Sequence, residues 1–288
     1  MADLFIGIET GGTKVVAGIA RVGSGQPEVV APPIVVPTTA EPGRMLDGLF
    51  ERISATPGFA EIAAAGIGSF GPVDLERGSI LPTPKPGWSG FPLLAEVRRR
   101  LDVPIVLDTD VNAAGLAEWR WGAARGASVA VYLTVGTGIG GGLLVDGVPV
   151  HGLLHPEMGH IEVARYPADA FEGACGAHGG CLEGLTAGPA IRARWGESGE
   201  SLPDDHPAWE MVVWYLGRGL AQIALTVSPE VIVLGGGVMT RSLHGRVGES
   251  LAAALGGYVP TPPVTAPRFG SRAGLMGAFA LAGMAASR

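Results

Sequence analysis

The feature that most constrains the fold of this chain is a strand, glycine turn, strand pattern that occurs twice. In the first copy, LFIGI at 4–8 and KVVAGIA at 14–20 flank the turn TGGT at 10–13. The second copy is SVAVYLTVGTGIGGGLLVDGVPV at 128–150. Because short apolar runs joined by a glycine-rich turn are typical of β-hairpins, we expect one hairpin in each half of the chain.

These hairpins exclude two common nucleotide-binding motifs. The P-loop and the dinucleotide-binding turn place their glycines directly before a helix, whereas here a strand follows each turn. The GxxxxGK[ST] spacing is absent, and the GxGxxG formed by Gly136, Gly138 and Gly141 lies within the second hairpin. Glycine turns can still bind phosphate, because no Cβ blocks the backbone amides. Two such turns could hold a triphosphate, although a tight turn alone also requires glycine.

Composition excludes further classes of function. The 288 residues, 47% of them hydrophobic, can bury a large core in one or two domains. A net charge of −7 gives no general attraction to nucleic acid or to an anionic membrane. The first residues, MADLFIGIE, lack the pattern of a signal peptide, and no apolar run is long enough to span a bilayer. We expect a cytoplasmic protein with neither a nucleic-acid nor a membrane partner.

Lysine is rare in this chain. Lys14 and Lys85 are the only two among 20 basic residues, so all the others are arginine. Lysine carries a compact charge on a flexible stem, so a tight phosphate-binding loop can require lysine where an ordinary surface does not. Both residues are therefore informative. Whether Lys14 contacts a phosphate or pairs with a nearby acid stays open at this point.

Strands and helices alternate outside the hairpins. Further strands are predicted at 62–69, 103–108 and 231–237. Helices are predicted at 43–54, 90–101, 111–124, 183–195, 207–227 and 273–285. This alternation predicts mixed α/β layers. The 23 prolines concentrate between these elements and no low-complexity linker separates the halves, so the simplest architecture is two lobes joined by a hinge.

The segment LDTDVNAAGLAEWRWG at 107–122 contains the candidate catalytic carboxylates. Asp108 and Asp110 follow a predicted strand and precede a predicted helix, which is the edge at which α/β sheets bind ligands. A carboxylate there can accept a proton from an alcohol. Either aspartate could instead cap the helix, but two of them beside Asn112 exceed the needs of a cap.

A second cluster has the residue types of a metal site. The glycine-rich loop CGAHGGCLEG at 175–184 contains a CxxHxxC motif formed by Cys175, His178 and Cys181. Tetrahedral zinc needs a fourth ligand, for which His160 is the best candidate, with His155 and His151 as alternatives. Four protein ligands leave no position for water, so such a zinc would be structural. Two cysteines are too few for a disulfide framework.

Taken in chain order, these and further motifs resemble the ROK family of sugar kinases, within the actin-like ATPase superfamily. The resemblance runs from Ile6 to about Ala285 and is strongest to the bacterial fructokinases. Its motifs are GIETGGTK at 7–14, GIGSFGPVD at 66–74, TPKPGW at 83–88, DTDVNAAGLAE at 108–118, TVGTGIGGG at 134–142, EMGH at 157–160, CGAHGGCLEG at 175–184 and VLGGG at 233–237.

The resemblance implies a two-lobed actin-like ATPase (ribonuclease H-like) α/β fold that binds nucleotide and sugar in the cleft between its lobes. The N-terminal lobe would span residues 1–115, with the first phosphate hairpin and the catalytic aspartate. The C-terminal lobe would span residues 116–288, and the C-terminal helix could return to the N-terminal lobe. The family also suggests a homodimer.

The resemblance also implies roles for individual residues. Asp110 matches the catalytic base, and Glu9 is our candidate on the magnesium side. The residues that match sugar ligands are Gly71, Asn112, Glu157, His160 and Glu183. The residues that match the ATP site are Gly11, Gly12, Thr13, Lys14, Thr137, Gly138, Pro189, Gly235, Gly236 and Gly237. The zinc ligands would be His160, Cys175, His178 and Cys181, and the second ring nitrogen of His160 would then face the sugar.

Two departures from the common family pattern favour the fructokinase branch. Many family members have Asp at the position of Glu9 and a CxCGxxGC zinc loop, whereas this branch shows Glu and a histidine-bearing loop. Thr109 replaces a usual asparagine that contacts the sugar. We therefore expect ATP-dependent phosphorylation of D-fructose to fructose 6-phosphate, with Mg²⁺ and a structural zinc. Glu157 and Glu183 are expected to be buried and to select the sugar by its hydroxyl pattern.

Three alternatives stay open. A glucokinase or mannokinase of the same family would differ only in its preferred hexose. A sugar sensor without catalysis would keep the pocket and lose the base, but Asp110 is present. A ROK-type repressor would need a helix-turn-helix before the first strand, and that strand is predicted to start within the first five residues.

Overall fold

A computed structural model describes residues 3–241 and 243–286 of the chain. Contacts divide it into two compact units. Unit 1 contains the described residues up to Gly122, the segment His151–His155, and those from Ser271 onward. Unit 2 contains Ala123–Val150 and Pro156–Gly270. The first part of unit 1 ends at Gly122, beyond the predicted boundary between residues 115 and 116, because the helix Asp110–Trp121 is not divided between the units. The C-terminal helix belongs to unit 1.

Unit 1 is built on a six-stranded sheet with the order β3-β2-β1-β5-β8. The sixth strand, β4, pairs with the first half of β2 on the same side as β3. Its elements before residue 123 are β1 (Asp3–Thr10), β2 (Lys14–Val22), β3 (Glu28–Val29), β4 (Ile34–Pro37), α1 (Pro42–Ser54), β5 (Ile62–Ser69), β6 (Val73–Asp74), β7 (Ser79–Ile80), α2 (Leu93–Arg98), β8 (Ile105–Thr109) and α3 (Asp110–Trp121). The first predicted hairpin is β1 and β2, which pair antiparallel, whereas β1, β5 and β8 run parallel.

Unit 2 contains the second predicted hairpin and a sheet with the order β11-β10-β9-β12-β13. Its elements are β9 (Val129–Val135), β10 (Ile139–Val145), β11 (Val148–Pro149), α4 (Leu182–Thr186), α5 (Gly188–Trp195), α6 (Pro207–Val227), β12 (Val231–Gly235), α7 (His244–Leu255) and β13 (Val264–Thr265). Strands β9 and β10 pair antiparallel, and β9 and β12 run parallel. Leu216 and Leu220 of α6 are fully buried in one core with Val131 and Leu133 of β9.

Helix α8 (Ala273–Ala286) completes unit 1, and its packing is unusually close. A Cβ atom at Gly66 of β5 would lie 1.9 Å from the carbonyl oxygen of Ala278 in α8. A Cβ atom at Gly277 would lie 2.2 Å from the carbonyl oxygen of Ala113 in α3. These two glycines therefore bring the backbone of α8 into direct contact with strand β5 and helix α3.

The helix predicted at 183–195 is two helices. Helix α4 ends at Thr186 and α5 begins at Gly188, with Ala187 in an extended conformation between them. Pro189 explains the break, because proline has no N–H for a helical hydrogen bond and fits only the first turn of a helix. The predicted helix 90–101 likewise begins later, at Leu93 directly after Pro92.

Helix α7 has no counterpart in the prediction. It carries Gly245 and Gly248, which lower helix propensity, but its buried Val247, Leu251 and Leu255 lie on one face with four-residue spacing. Tertiary packing thus decides its conformation. Among the described helices, none combines the length and the apolar character needed to cross a membrane.

Gly66→Ala should destabilise the protein by about 1–3 kcal/mol or more, because the added methyl group meets backbone atoms that cannot rotate away. Urea unfolding monitored by circular dichroism measures the change. Gly48→Ala in α1 is the matched control, since no atom lies within 4 Å of its Cβ position, and it should stabilise the helix by about 0.5–1 kcal/mol. Equal effects of the two variants would contradict the close packing of α8.

Candidate active site

The turn of the first hairpin is held from its flank by one threonine. Within the turn, the amide of Gly11 donates to the carbonyl of Lys14 at 2.9 Å. The Thr38 hydroxyl donates to the carbonyl of Gly11 at 2.7 Å, and the Thr38 amide donates to the carbonyl of Thr13 at 3.0 Å. Gly12 and Thr13 remain at least partly exposed. The predicted first phosphate loop is thus an ordered, solvent-accessible turn.

Glu9, the candidate magnesium ligand, lies against the start of helix α8. A Cβ atom at Gly274 would lie 2.3 Å from the Glu9 carboxyl carbon. Burial raises the pKa of Glu9, and the charge of Lys14 and the amide of Leu275 counteract this in part. A carboxylate is favourable at a helix N-terminus, so Glu9 has a structural use, and its role toward magnesium stays a prediction. The positive charge of Lys14 therefore stabilises the ionised carboxylate of Glu9.

The aspartates of the DTDVN motif have different environments, and neither caps the helix as the alternative interpretation proposed. Thr109 is the N-cap of α3, and its hydroxyl accepts from the Asn112 amide at 3.1 Å. Asp108 is buried, and its Oδ1 accepts from the Thr109 amide and from Asn112 Nδ2, both at 2.7 Å. The Asp108 carboxylate is therefore committed to internal hydrogen bonds.

Asp110 is the first residue of α3, at the carboxyl end of the parallel strands β5 and β8. Its Oδ1 accepts from the Val111 amide at 2.9 Å, and the residue is only partly buried. Of the two aspartates, Asp110 is the one placed to meet a ligand.

His151 and His155 lie in unit 1 and are absent from the metal-ligand cluster, which corrects their assignment as reserve zinc ligands. His151 Nε2 lies 3.0 Å from Asp108 Oδ2, and this hydrogen bond raises the pKa of His151. His155 Nε2 accepts from the Val73 amide at 3.3 Å, and its ring lies 3.6 Å from the Cβ position of Gly71, a predicted sugar ligand. These two histidines attach the segment 151–155 to unit 1.

Asn112, another predicted sugar ligand, is fully buried in the same network. Its Nδ2 lies 3.3 Å from His151 Nε2. Its Oδ1 has no hydrogen-bond partner among the described residues. The side chain thus supports Asp108 and His151, while its sugar contact stays a prediction.

The second turn, in unit 2, is held by a predicted sugar ligand. Glu183 Oε2 accepts from the Ile139 amide at 2.8 Å, next to the turn that contains the predicted ATP ligands Thr137 and Gly138. A Cβ atom at Gly138 would lie 2.6 Å from Glu183 Oε2. Glu183 therefore lies against the predicted phosphate turn itself, a contact that the sequence did not predict.

The predicted adenosine-side turn lies beside the second hairpin. Gly236 has φ +97°, and a Cβ atom there would lie 2.3 Å from the carbonyl oxygen of Val135. Only glycine fits both the conformation and the space. Gly235 is buried, Gly237 is exposed, and Pro189 is exposed in the first turn of α5.

The expectation that both predicted sugar-binding carboxylates are buried is wrong. Glu157 is exposed and Glu183 is partly buried. Glu157 precedes the single helical turn Met158–His160, whose Met158 and Gly159 face the core and leave Glu157 outside. Water therefore competes for Glu157, so its charge cannot discriminate between sugars by burial alone.

The four predicted zinc ligands of unit 2 come together in the structure. The ligand atoms of His160, Cys175, His178 and Cys181 all lie within 4.8 Å of one another. His160 Nδ1 lies 3.3 Å from His178 Nδ1, 3.6 Å from Cys175 Sγ and 3.7 Å from Cys181 Sγ. Tetrahedral zinc with ordinary bond lengths requires about 3.3 Å between two nitrogens and about 3.5 Å between nitrogen and sulfur. Donor types and spacing both fit a structural zinc.

The cluster uses Nδ1 of His160, which leaves Nε2 on the other side of the ring. The contact of His160 Nε2 with the sugar stays a prediction. Burial raises the pKa of the Cys181 thiol, so metal binding must release a proton from it. Cys181 also caps α4, since its sulfur accepts from the Gly184 amide at 3.5 Å.

A profile of the ROK family matches residues 5–285. The chain belongs to the ROK family. A fructokinase from Zymomonas mobilis subsp. mobilis is 42% identical over 291 residues, which cover 96% of this chain and 95% of that protein. The matched residues thus include both hairpins, the DTDVN segment and the metal cluster.

Solved structures of ROK proteins share the fold. The ROK hexokinase from Thermus thermophilus has a TM-score of 0.80 at 32% identity and covers 98% of both chains. The ROK family glucokinase from Streptomyces griseus, solved with glucose and AMPPNP, has a TM-score of 0.79 at 28% identity and covers 98% of this chain and 99% of its own. This ROK chain therefore has the actin-like ATPase α/β fold, and its relatives support sugar phosphorylation.

Purified protein should contain about one zinc per chain, because the site offers four ligands of suitable type and spacing. Cys175→Ser should remove most of the zinc and lower the melting temperature, whereas Ser198→Ala, at a partly exposed serine of the same unit, should change neither. Inductively coupled plasma mass spectrometry and differential scanning fluorimetry measure both quantities. Wild-type protein prepared without chelators and free of zinc would refute the assignment.

Proposed function

We propose that this ROK chain is a fructokinase, which transfers the terminal phosphoryl group of ATP to the 6-hydroxyl of D-fructose. Mg²⁺ is the proposed cofactor of the nucleotide, with Glu9 on its side, and zinc has a structural role. Identity to a named fructokinase over nearly the whole chain supports the sugar, and the similarity to hexokinase and glucokinase structures supports the reaction class. A homodimer in the cytoplasm is the predicted state.

The single observation that carries the proposed mechanism is the position of Asp110. It begins helix α3 at the carboxyl edge of parallel strands, where α/β sheets bind ligands. Asp108, the other candidate, is occupied by the Thr109 amide, Asn112 and His151. Asp110 would therefore accept the proton of the attacking hydroxyl.

In this reaction the hydroxyl oxygen forms a bond to the γ-phosphorus, and its proton passes to Asp110. The bond between the γ-phosphorus and the β,γ-bridging oxygen breaks, and its electron pair stays on the ADP formed. Bound Mg²⁺ neutralises phosphate charge. Because the transition state of phosphoryl transfer is loose, positioning and electrostatics contribute more than base strength. The amides of Gly12, Thr13, Thr137 and Gly138 would supply donors to phosphate oxygens, since the amides of Gly11 and Gly136 donate to carbonyl groups within their own turns.

The proposed sugar contacts are Gly71, Asn112, Glu157, His160 and Glu183. The proposed ATP contacts are Gly11, Gly12, Thr13, Lys14, Thr137, Gly138, Pro189, Gly235, Gly236 and Gly237. Glu183 would have two functions, because it also fixes the Ile139 amide beside the second turn. His160 would connect the zinc to the sugar, so loss of the metal should weaken sugar binding.

Asp110→Asn should lower kcat by about 10²- to 10⁴-fold with near-normal ATP affinity, since the amide cannot accept the proton but has the same size. A coupled assay of ADP release measures turnover, and calorimetry measures nucleotide binding. Asp102→Asn makes the same chemical change at an exposed position of unit 1 and should leave both values unchanged. Turnover of Asp110→Asn within a few-fold of wild type would exclude Asp110 as the base.

Fructose should give a larger kcat/KM than glucose, mannose or N-acetylglucosamine in the same assay. The TPKPGW segment, Glu9 and the histidine-bearing metal loop all resemble the fructokinase branch. A wrongly placed hydroxyl leaves a carboxylate unpaired, but the exposure of Glu157 limits this effect, so we expect a preference and some activity on other hexoses. A larger value for glucose would favour the glucokinase assignment and leave the kinase mechanism intact.

A further inference from the structure

The second lysine of the chain lies against the first phosphate turn. A Cβ atom at Gly12 would lie 3.0 Å from Cε and 3.2 Å from Nζ of Lys85. The end of the Lys85 side chain therefore occupies the space that any larger residue at position 12 would take. Lys85 belongs to the TPKPGW segment, to which the fold and the proposed reaction have so far assigned no chemical role.

The backbone that carries Lys85 is fixed on both sides. Pro86 restricts the φ and ψ angles of Lys85, and the ring of Pro84 fixes the φ angle of Pro84 itself, the residue before Lys85 in the loop. Trp88 is fully buried, its Nε1 donates to the carbonyl of Thr39 at 2.9 Å, and its amide donates to the carbonyl of Lys85 at 3.2 Å. A lysine on so constrained a loop loses little further backbone entropy when it binds a ligand.

Two reciprocal hydrogen bonds close the same loop. The Ser89 hydroxyl donates to the carbonyl of Thr83 at 3.0 Å, and the Thr83 amide donates to Ser89 Oγ at 3.1 Å. Gly87 has φ +77°, and a Cβ atom there would lie 1.9 Å from the carbonyl oxygen of Ala40. The loop is therefore packed directly on the segment that follows strand β4.

The charges of the two lysines are used differently. The charge of Lys14 acts on Glu9 and offsets part of the rise in the pKa of Glu9 that burial causes. For Lys85, no carboxylate of the described residues lies within ion-pair distance of the ammonium group. The side chain is only partly exposed. An ammonium group without a carboxylate counter-ion, beside a partly exposed glycine turn, forms the electrostatic environment of an anion site.

We propose that Lys85 binds the terminal phosphate of the nucleotide at the first glycine turn and stabilises its charge during transfer. This inference rests on the proposed kinase function and deepens it. Lysine suits the position because its compact ammonium fits over Gly12, where the planar fork of arginine would need more room. As the bond to the bridging oxygen lengthens, negative charge on the phosphates stays close to the ammonium group, which lowers the barrier.

Replacement of the Lys85 ammonium group tests its proposed role in catalysis. Lys85→Met keeps the length of the side chain without the charge, and it should lower kcat/KM for MgATP by about 10²-fold or more. The fructose Kd measured by calorimetry without nucleotide should stay within about threefold of wild type. Lys85→Arg should recover only part of the loss. Arg77→Met, which removes an exposed cation of the same unit, is the matched control and should retain wild-type kinetics.

Chemical labelling tests the contact without any turnover. With only two lysines in the chain, acetylation at each can be followed by peptide mass spectrometry. A non-hydrolysable MgATP analogue should slow acetylation of Lys85 by about tenfold or more, and AMP should not. Fructose 6-phosphate alone should not protect Lys85 either, since the proposed ligand is the phosphate of the nucleotide.

The outcomes separate this inference from the proposed function. A wild-type protein that releases no ADP with any hexose would overturn the kinase assignment, whereas the labelling result depends only on nucleotide binding. An active wild type with an equally active, folded Lys85→Met variant would overturn the role of Lys85 alone. Equal acetylation of Lys85 with and without the analogue, or protection by fructose 6-phosphate instead, would also overturn it.

Discussion

The contact between helix α8 and its neighbours is the constraint on which the arrangement of unit 1 depends. At Gly66 and Gly277 the helix meets strand β5 and helix α3 at a distance that leaves no room for a methyl group. Such close packing is rigid, because backbone atoms cannot rotate away as side chains do. It holds helix α3, and thus Asp110 at its start, against the sheet. The N-terminal turn of α8 also receives the Glu9 carboxylate.

In unit 2 the metal cluster and the second glycine turn are mechanically connected. Cys181 is both a metal-ligand candidate and the cap of α4. Glu183, two residues later in the first turn of this helix, accepts from the Ile139 amide at the second glycine turn. Metal binding at this cluster would therefore act on a short, five-residue helix whose Glu183 contacts the second glycine turn.

The hairpins, helix α6 and the four metal-ligand candidates could be predicted because their signals are local. Apolar strands around glycine turns, helical periodicity and the CxxHxxC spacing each lie within one short segment. The break at Ala187 was also a local signal, since Pro189 is visible in the sequence, but the apolar periodicity on either side of it masked the break. Helix α7, by contrast, depends on burial of Val247 and Leu251 by distant segments.

The least predictable site features join residues that are far apart in sequence. The hydrogen bond of His151 to Asp108 and the position of Lys85 over Gly12 both depend on the tertiary fold. The rarity of lysine pointed to Lys85 without showing what it contacts. Burial of Glu157 was wrongly predicted from its expected role, because a ligand-binding carboxylate need not be buried before the ligand arrives.

The order of the segments in unit 1 has a consequence for biosynthesis. Its sheet and helix α3 come from the first part of the chain, but α8 follows the whole of unit 2 in sequence. Domains emerging from a ribosome fold as units once their residues are available. The apolar face of unit 1 that α8 covers is therefore exposed until all of unit 2 has been synthesised, while unit 2 can complete its own core first. The part of the protein that carries Asp110 is thus the last to become native.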